Sequence, residues 1–326
     1  MKHLTRALVT GTALFGLALT GCQASDTIKI SDNASKDEIA TSMKEAVTFA
    51  KSTSGRGSPK LWKYADEDTT VYLFGTVHLL KPELEWKTSN LTQAFKAADT
   101  LVVEADVESP ESLAAIQKLV TEYGAFSEGE TLSSVLDKQE KAIVAEALTA
   151  AGIQMNDIES LKPWMVGLQL GILQMMEGGY DPQSGVEKVL LSDPNMANKK
   201  LNYLETAETQ IKALSGASID DQIQGLMATI STLELGNEYL DTLVDEWADG
   251  DVKGIGALMS NPVLYGSESA YDMLLTNRNE SWVAPLKALL NEPGVKLVAV
   301  GAGHLAGPDS VIIMLEDEGL KIATVN

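Results

Sequence analysis

The chain of 326 residues carries one cysteine, Cys22, and three histidines. A single cysteine rules out an internal disulfide, so the fold rests on its buried core. Nowhere does an apolar run reach the roughly 18 residues that cross a bilayer, which excludes a multi-span membrane protein. Positive charge is scarce as well: 25 Lys and Arg against 46 Asp and Glu give a net charge of −21. So acidic a surface repels phosphate backbones, and nucleic acid is not expected as a partner. The rest is ordinary globular material, 44% hydrophobic and 22% charged, with 26 Gly and 10 Pro. Collagen-like, coiled-coil and wholly disordered chains are thereby excluded.

Cys22 has a context. Lys2 and Arg6 form a basic start, Ala7 to Leu19 is a short apolar stretch, and Leu19-Thr20-Gly21-Cys22 follows. This pattern resembles a bacterial lipoprotein signal, with cleavage after residue 21 and acylation (a diacylglyceryl group and palmitate) on Cys22. The expectation is a cell-envelope protein held to a membrane at Cys22. In a bacterium with two membranes, Gln23 after the cysteine points to the outer membrane and a periplasmic face.

Residues 22–59 are expected to form a tether. Ile39, Met43, Ala46, Val47 and Ala50 recur at helical spacing, and Ser52-Thr53-Ser54-Gly55-Arg56-Gly57-Ser58-Pro59 has the composition of a flexible linker. Residues 60–326 then make one domain of α/β class, with α+β character. Its pattern predicts a central mixed sheet flanked by many helices, with a helical middle section.

Within it, Leu61 to Ala65 and Thr70 to Phe74 read as a hairpin across Asp66-Glu67-Asp68. Thr100 to Glu104, Leu201 to Leu204, Val295 to Val300 and Leu320 to Val325 read as further strands. Thr88 to Ala98 and Pro308 to Glu318 read as single helices, and helices dominate Pro110 to Asn198 and Glu208 to Leu290. A long apolar helix is expected from about Asp157 to Met176, kinked near Pro163. The stripe Met165, Leu168, Ile172, Met175, Met176 reads as core, with a thioether cofactor box as the alternative.

With His3 in the leader, His78 and His304 are the histidines of the remaining chain, and their surroundings match. Gly75-Thr76-Val77-His78 follows one predicted strand and Gly301-Ala302-Gly303-His304 another. A glycine turn after a strand sets a side chain at the carboxyl end of a sheet, where open α/β sheets bind ligands. Glu104 ends a third strand, with Asp106 two residues on. Two imidazoles and one or two carboxylates form a set suited to zinc, manganese, cobalt or iron. Such an ion acidifies a water to near neutral pKa. Each histidine is equally open to reading as a buried or turn residue.

The segments LWKYADEDTTVYLFGTVH, ADTLVVEAD, GVEKVL, LNYLETAETQ, LLTNRNESW and LVAVGAGHLAGPDSV resemble, in this order, the TraB/GumN family, which includes the Tiki metal-dependent proteases. The resemblance implies a divalent ion, often manganese or cobalt, and hydrolysis of peptide or protein substrates. It implies His78 and His304 as metal ligands through their GxxH motifs, with Gly75, Gly301 and Gly303 as motif glycines. Glu104 is then the third ligand or the general base. Glu205, Asp106 and Asn279 become supports, with Glu205 orienting an imidazole N–H, and Arg278 an oxyanion stabiliser, a substrate clamp or a salt bridge. Where the family reads Gly-Val-Asp this chain has Gly185-Val186-Glu187, and Glu187 is left outside the expected site. Trp247-Ala248-Asp249-Gly250-Asp251 reads as an ordinary helix end. Non-catalytic haem or ligand binding, and sequestration of a peptide, are the alternatives to a hydrolase.

Overall fold

The computed structural model describes residues 35–325; the leader expected at 1–21 and the acylation expected at Cys22 lie outside them. The described chain folds around a six-stranded mixed sheet in the order β4-β3-β5-β2-β1-β6. Its strands are β1 (Leu61–Ala65), β2 (Thr69–Thr76), β3 (Thr100–Val103), β4 (Lys200–Tyr203), β5 (Gly294–Gly301) and β6 (Ala323–Val325). The expected hairpin is β1-β2, its turn closed by Asp66, whose Oδ1 accepts from the amides of Asp68 and Thr69. β5 runs parallel to both β2 and β3, and β4 parallel to β3, while β1 and β6 form the antiparallel edge.

The central strands lack an apolar–polar alternation because both faces are covered. Phe74, Leu101 and Leu297 join one core cluster with Trp86 and Trp247. Their neighbours Leu73, Val102 and Val298 join a cluster on the other face with Trp282 and Leu286. A separate cluster of Leu132, Val144, Leu170, Leu226 and Ile230 holds the helical middle together. At roughly 1.5–3 kcal/mol for each fully buried large apolar side chain, these clusters carry the stability that disulfides would otherwise supply.

Three local expectations change. The long helix from Asp157 divides into Met155–Ile158 and Pro163–Glu177, because Pro163, lacking an N–H, opens a helix at its first turn rather than kinking one. The stripe on that helix is not uniformly core: Met165 is buried, whereas Leu168, Ile172 and Met176 are exposed. The helix expected in the tether forms at Lys36–Ala50, capped by Ser35 and Glu38 in a reciprocal capping box. It is seated in the fold, with Ile39 and Met43 in the core of the helical middle. Nor is the Ser/Gly segment loose: the main-chain N–H groups of Gly55 and Gly57 donate to the Asp249 carboxylate, and that of Arg56 to its carbonyl.

Among the described residues no helix is long and apolar enough to cross a membrane.

Candidate functional site

The register of β5 against its neighbours builds the site. Thr76 of β2 pairs with Gly301 of β5, and Val103 of β3 with Ala299. Three carboxyl ends therefore lie side by side. Each continues into a chemically active side chain: β2 into His78, β3 into Glu104 and β5 into His304. All three line one cavity of about 280 Å³, together with Arg278.

Glu104 is at the centre. Its Oε1 accepts from the Gly301 amide at 2.7 Å. Its Oε2 accepts from Arg278 Nη2 at 2.7 Å and from Gln210 Nε2 at 3.0 Å. Burial opposes ionisation of this carboxyl, but His304, Arg278, His78 and the Gly301 amide outweigh it and hold the pKa at about 2. Gly301 gives the carboxylate room: a Cβ here would stand 3.1 Å from Glu104 Oε1, a tight approach beside the amide that serves it.

His304 is 5% exposed, in a short turn over Ala302–Leu305. Its Nδ1 lies 2.6 Å from Asn279 Oδ1, and Asn279 Nδ2 donates to the Asp309 carbonyl, which sets the amide's orientation. An amide oxygen can only accept and a guanidinium can only donate. The proton is therefore on Nδ1, and Nε2 offers its lone pair to Arg278 Nη1 at 3.0 Å. Burial, with Arg278 and His78 beside it, outweighs Glu104 and pushes the pKa down to about 3, so the ring is neutral.

His78 is the opposite case. Its side chain is 65% exposed at the cavity mouth, and Nδ1 lies 3.0 Å from Glu187 Oε1. The Glu187 carboxylate raises its pKa well above the ordinary value, against a smaller effect of desolvation. Glu187, left outside the site by the sequence reading, therefore belongs to it. The Gly185 turn before it packs directly on the main chain of His78. The Val186 amide donates to the Val77 carbonyl, and a Cβ on Gly185 would fall 2.0 Å from the His78 carbonyl oxygen. Thr76 Oγ1 donates to the same Glu187 oxygen.

Arg278 has no N–H left for a substrate. Nε and Nη2 donate to Glu205, Nη2 also to Glu104, and Nη1 to the Leu274 carbonyl and to His304. Of the roles left open for it, the salt bridge is the one formed; the clamp and the direct oxyanion donor are not. Its carrier helix Asn277–Ala288 follows a π-helical turn over Asp272–Thr276, a distortion frequent at functional sites. Trp282, one turn beyond Arg278, stacks near His304 with ring centroids 4.4 Å apart and lies under the guanidinium.

Two expected supports act elsewhere. Glu205 orients no imidazole; it accepts from Arg278 and from the Trp282 indole at 3.2 Å. Asp106 is turned away by its own loop, where its carboxylate accepts from the amides of Glu108 and Ser109 and from the Ser109 hydroxyl before the helix Pro110–Gly124. Gly75 and Gly303 stand at close approaches, Gly75 to Ala302 and Gly303 to Met259. Trp247, in the segment read as a plain helix end, donates its indole N–H to the Gly75 carbonyl at 2.9 Å and so props the His78 turn. Its signal was the tryptophan itself: a large side chain with one donor finds a partner when buried.

Both imidazoles have Nδ1 held by an oxygen, Glu187 or Asn279, and this is how a protein orients a histidine whose Nε2 is to ligate. Among the described residues no three His, Cys, Asp or Glu side chains stand together as a ligand set. The guanidinium of Arg278 occupies the cation position between Glu104 and His304, so an ion and Arg278 compete for the same lone pairs.

Residues 60–324 match the model of the TraB/PrgY/gumN family. An uncharacterized protein of Escherichia coli K12, YbaP, is 25% identical over 264 residues, covering 80% of this chain and 94% of the relative. An uncharacterized protein of Treponema pallidum is 22% identical over 273 residues, 79% of this chain and 80% of its own length. No solved structure matches the chain.

Proposed function

The chain belongs to the TraB/PrgY/gumN family, and from the site described above we propose that it is a divalent-metal-dependent hydrolase of peptide bonds, lipid-anchored in the cell envelope through Cys22. The observation that carries this reading is the convergence of His78, Glu104 and His304 from three adjacent strand ends on one cavity. His78 and His304 through Nε2, with Glu104, would hold manganese, cobalt or zinc, and the bound ion would supply Lewis acidity and an acidified water.

The protein's own groups have separable tasks. Asn279 and Glu187 hold the two rings at Nδ1, which leaves Nε2 of each as the nitrogen that would ligate. Because Glu187 favours the doubly protonated His78 ring, ion binding at Nε2 must displace the Nε2 proton while Nδ1–H stays on Glu187, and affinity falls as pH falls. Glu104 is ionised well below neutrality, so it is a weak base and acts by orienting water and balancing charge. Arg278 sets the position of Glu104 and lends the site positive potential without touching substrate.

The test is Glu104→Gln, which keeps the shape and removes the charge. Turnover of an unstructured peptide library, read by mass spectrometry with manganese, cobalt or zinc added, falls by about 10²–10⁴-fold. Absence of any cut peptide with all three metals in the parent protein overturns the reading. A sequestering protein would bind the library without cutting, and a haem protein would show a strong visible absorption band.

A further inference from the structure

The cavity has two unlike halves. Its polar end is His78, Glu104, Arg278 and His304; its other walls are Met175, Leu240, Leu243, Val244, Met259 and Leu275. Leu240, Leu243, Val244 and Trp247 recur at helical spacing along Glu238–Asp249, so one face of that helix lines the cavity. The two aromatic residues in the apolar walls have their polar atoms already engaged. The Tyr180 hydroxyl donates to Asp241 Oδ1 at 2.7 Å, and the Trp247 indole donates to the Gly75 carbonyl. These walls therefore offer a side-chain guest contact area and no side-chain hydrogen bond.

We propose that this apolar half is a specificity pocket for one long aliphatic or aromatic side chain of a peptide, seated beside the bond to be cut at the polar end. The proposal rests on the hydrolase reading for the cutting, but not for the binding. A volume of about 280 Å³ is just below the roughly 300–1,000 Å³ of drug-sized ligand sites and suits a side chain with its flanking backbone. A polar guest loses its hydration there with nothing in exchange. A guest that is too small leaves contact area unused, and a single methylene in such a pocket is worth about 10–200-fold in discrimination. Leu243 and Leu240, half-buried on the lining helix, are the specificity-determining positions.

Two measurements on the full chain test this. Blocked pentapeptides, acetyl-Gly-Gly-X-Gly-Gly-amide with X as Leu, Phe, Ser or Asp, are titrated by calorimetry without added metal, and the library cuts are mapped with metal. The expected result is binding of the Leu and Phe peptides at least about tenfold tighter than the Ser and Asp peptides, in line with pocket discrimination. Leu243→Trp, which fills the pocket, removes that preference. Leu240→Trp serves as a second filling variant, each checked for an unchanged thermal transition. Cuts in the library then flank large apolar residues in the parent protein. Apolar preference in binding with no cutting upholds the pocket and defeats the hydrolase reading. Cutting without apolar preference, equal binding of all four peptides, or no binding of any overturns the pocket.

Discussion

His78 and His304 follow the carboxyl ends of the neighbouring parallel strands β2 and β5, and the fold gives them opposite surroundings. His304 is enclosed between an amide, a guanidinium and an indole, and is neutral. His78 stands at the mouth against a carboxylate and is biased towards the charged form. Matching local sequence thus set the position of each ring, while burial and the neighbouring Arg278 keep His304 neutral and the Glu187 carboxylate favours the charged form of His78. An amide cannot stabilise an imidazolium as a carboxylate does.

The largest test of this contrast is Arg278→Met. It leaves Glu104 and Glu205 buried without their cation, and removing one partner of a buried pair costs roughly 3–5 kcal/mol. Urea unfolding measures that loss. The same change frees His304 Nε2, so manganese or zinc binds more tightly in the variant than in the parent. An unchanged or weaker affinity would break the view that the guanidinium and an ion compete.

Next in size is the stability difference between the two histidine variants. His304→Ala leaves Asn279 Oδ1 and an Arg278 N–H without their partner and costs roughly 1–3 kcal/mol. His78→Ala, at an exposed position, stays within about 0.5 kcal/mol. Metal titration shows no such asymmetry: each substitution abolishes most binding, and the double variant is little worse, since both act on one ligand set. Additive, modest losses would mean two separate sites.

Smaller effects appear in the pH dependence of the metal-free protein. The depressed pKa of His304 makes its contribution complete above about 6.5 and progressively lost as pH falls towards about 3. The raised pKa of His78 has the opposite sign: its contribution is present below about 6.5 and is lost as pH rises through about 9. Water at the cavity mouth screens the second effect, so the acid branch is the steeper. Denaturation midpoints should lose the part of the acid branch between about pH 6.5 and 4.5 in His304→Ala, above the range where Glu104 titrates, and the alkaline branch in His78→Ala. The smallest change is Glu187→Gln. It lowers the His78 titration midpoint in proton NMR and leaves His304 where it was; a shift of both rings together would show that Glu187 does not act on His78 alone.

Much of this site was legible before the fold was known. The apolar runs that become β2, β3 and β5, and the carboxylate that follows β3, are local patterns, whereas Gly75 and Gly301, expected in turns, extend the ladder of β2 and β5. Asn279, expected among the supports, lies against His304 Nδ1. Glu187 was missed because a one-methylene departure looks disruptive until the Gly185 turn is seen lying on the His78 carbonyl. Arg278 was open to three roles, and counting its N–H groups decides among them only when every acceptor around it is in place. Asp106 was drawn towards the site by proximity in the chain, yet its nearest donors were the amides of its own loop.

The sequence by itself determined the strands, the turns that end them and the identity of the groups that could do chemistry, because each depends on periodicity and side-chain type within a few residues. Only the tertiary structure decided which of those groups meet, which partner holds Nδ1 of each imidazole and which ring favours the charged form. Those properties follow from the register of β5 between β2 and β3 and from partners on distant helices, and electrostatic energies depend on separation in space rather than along the chain.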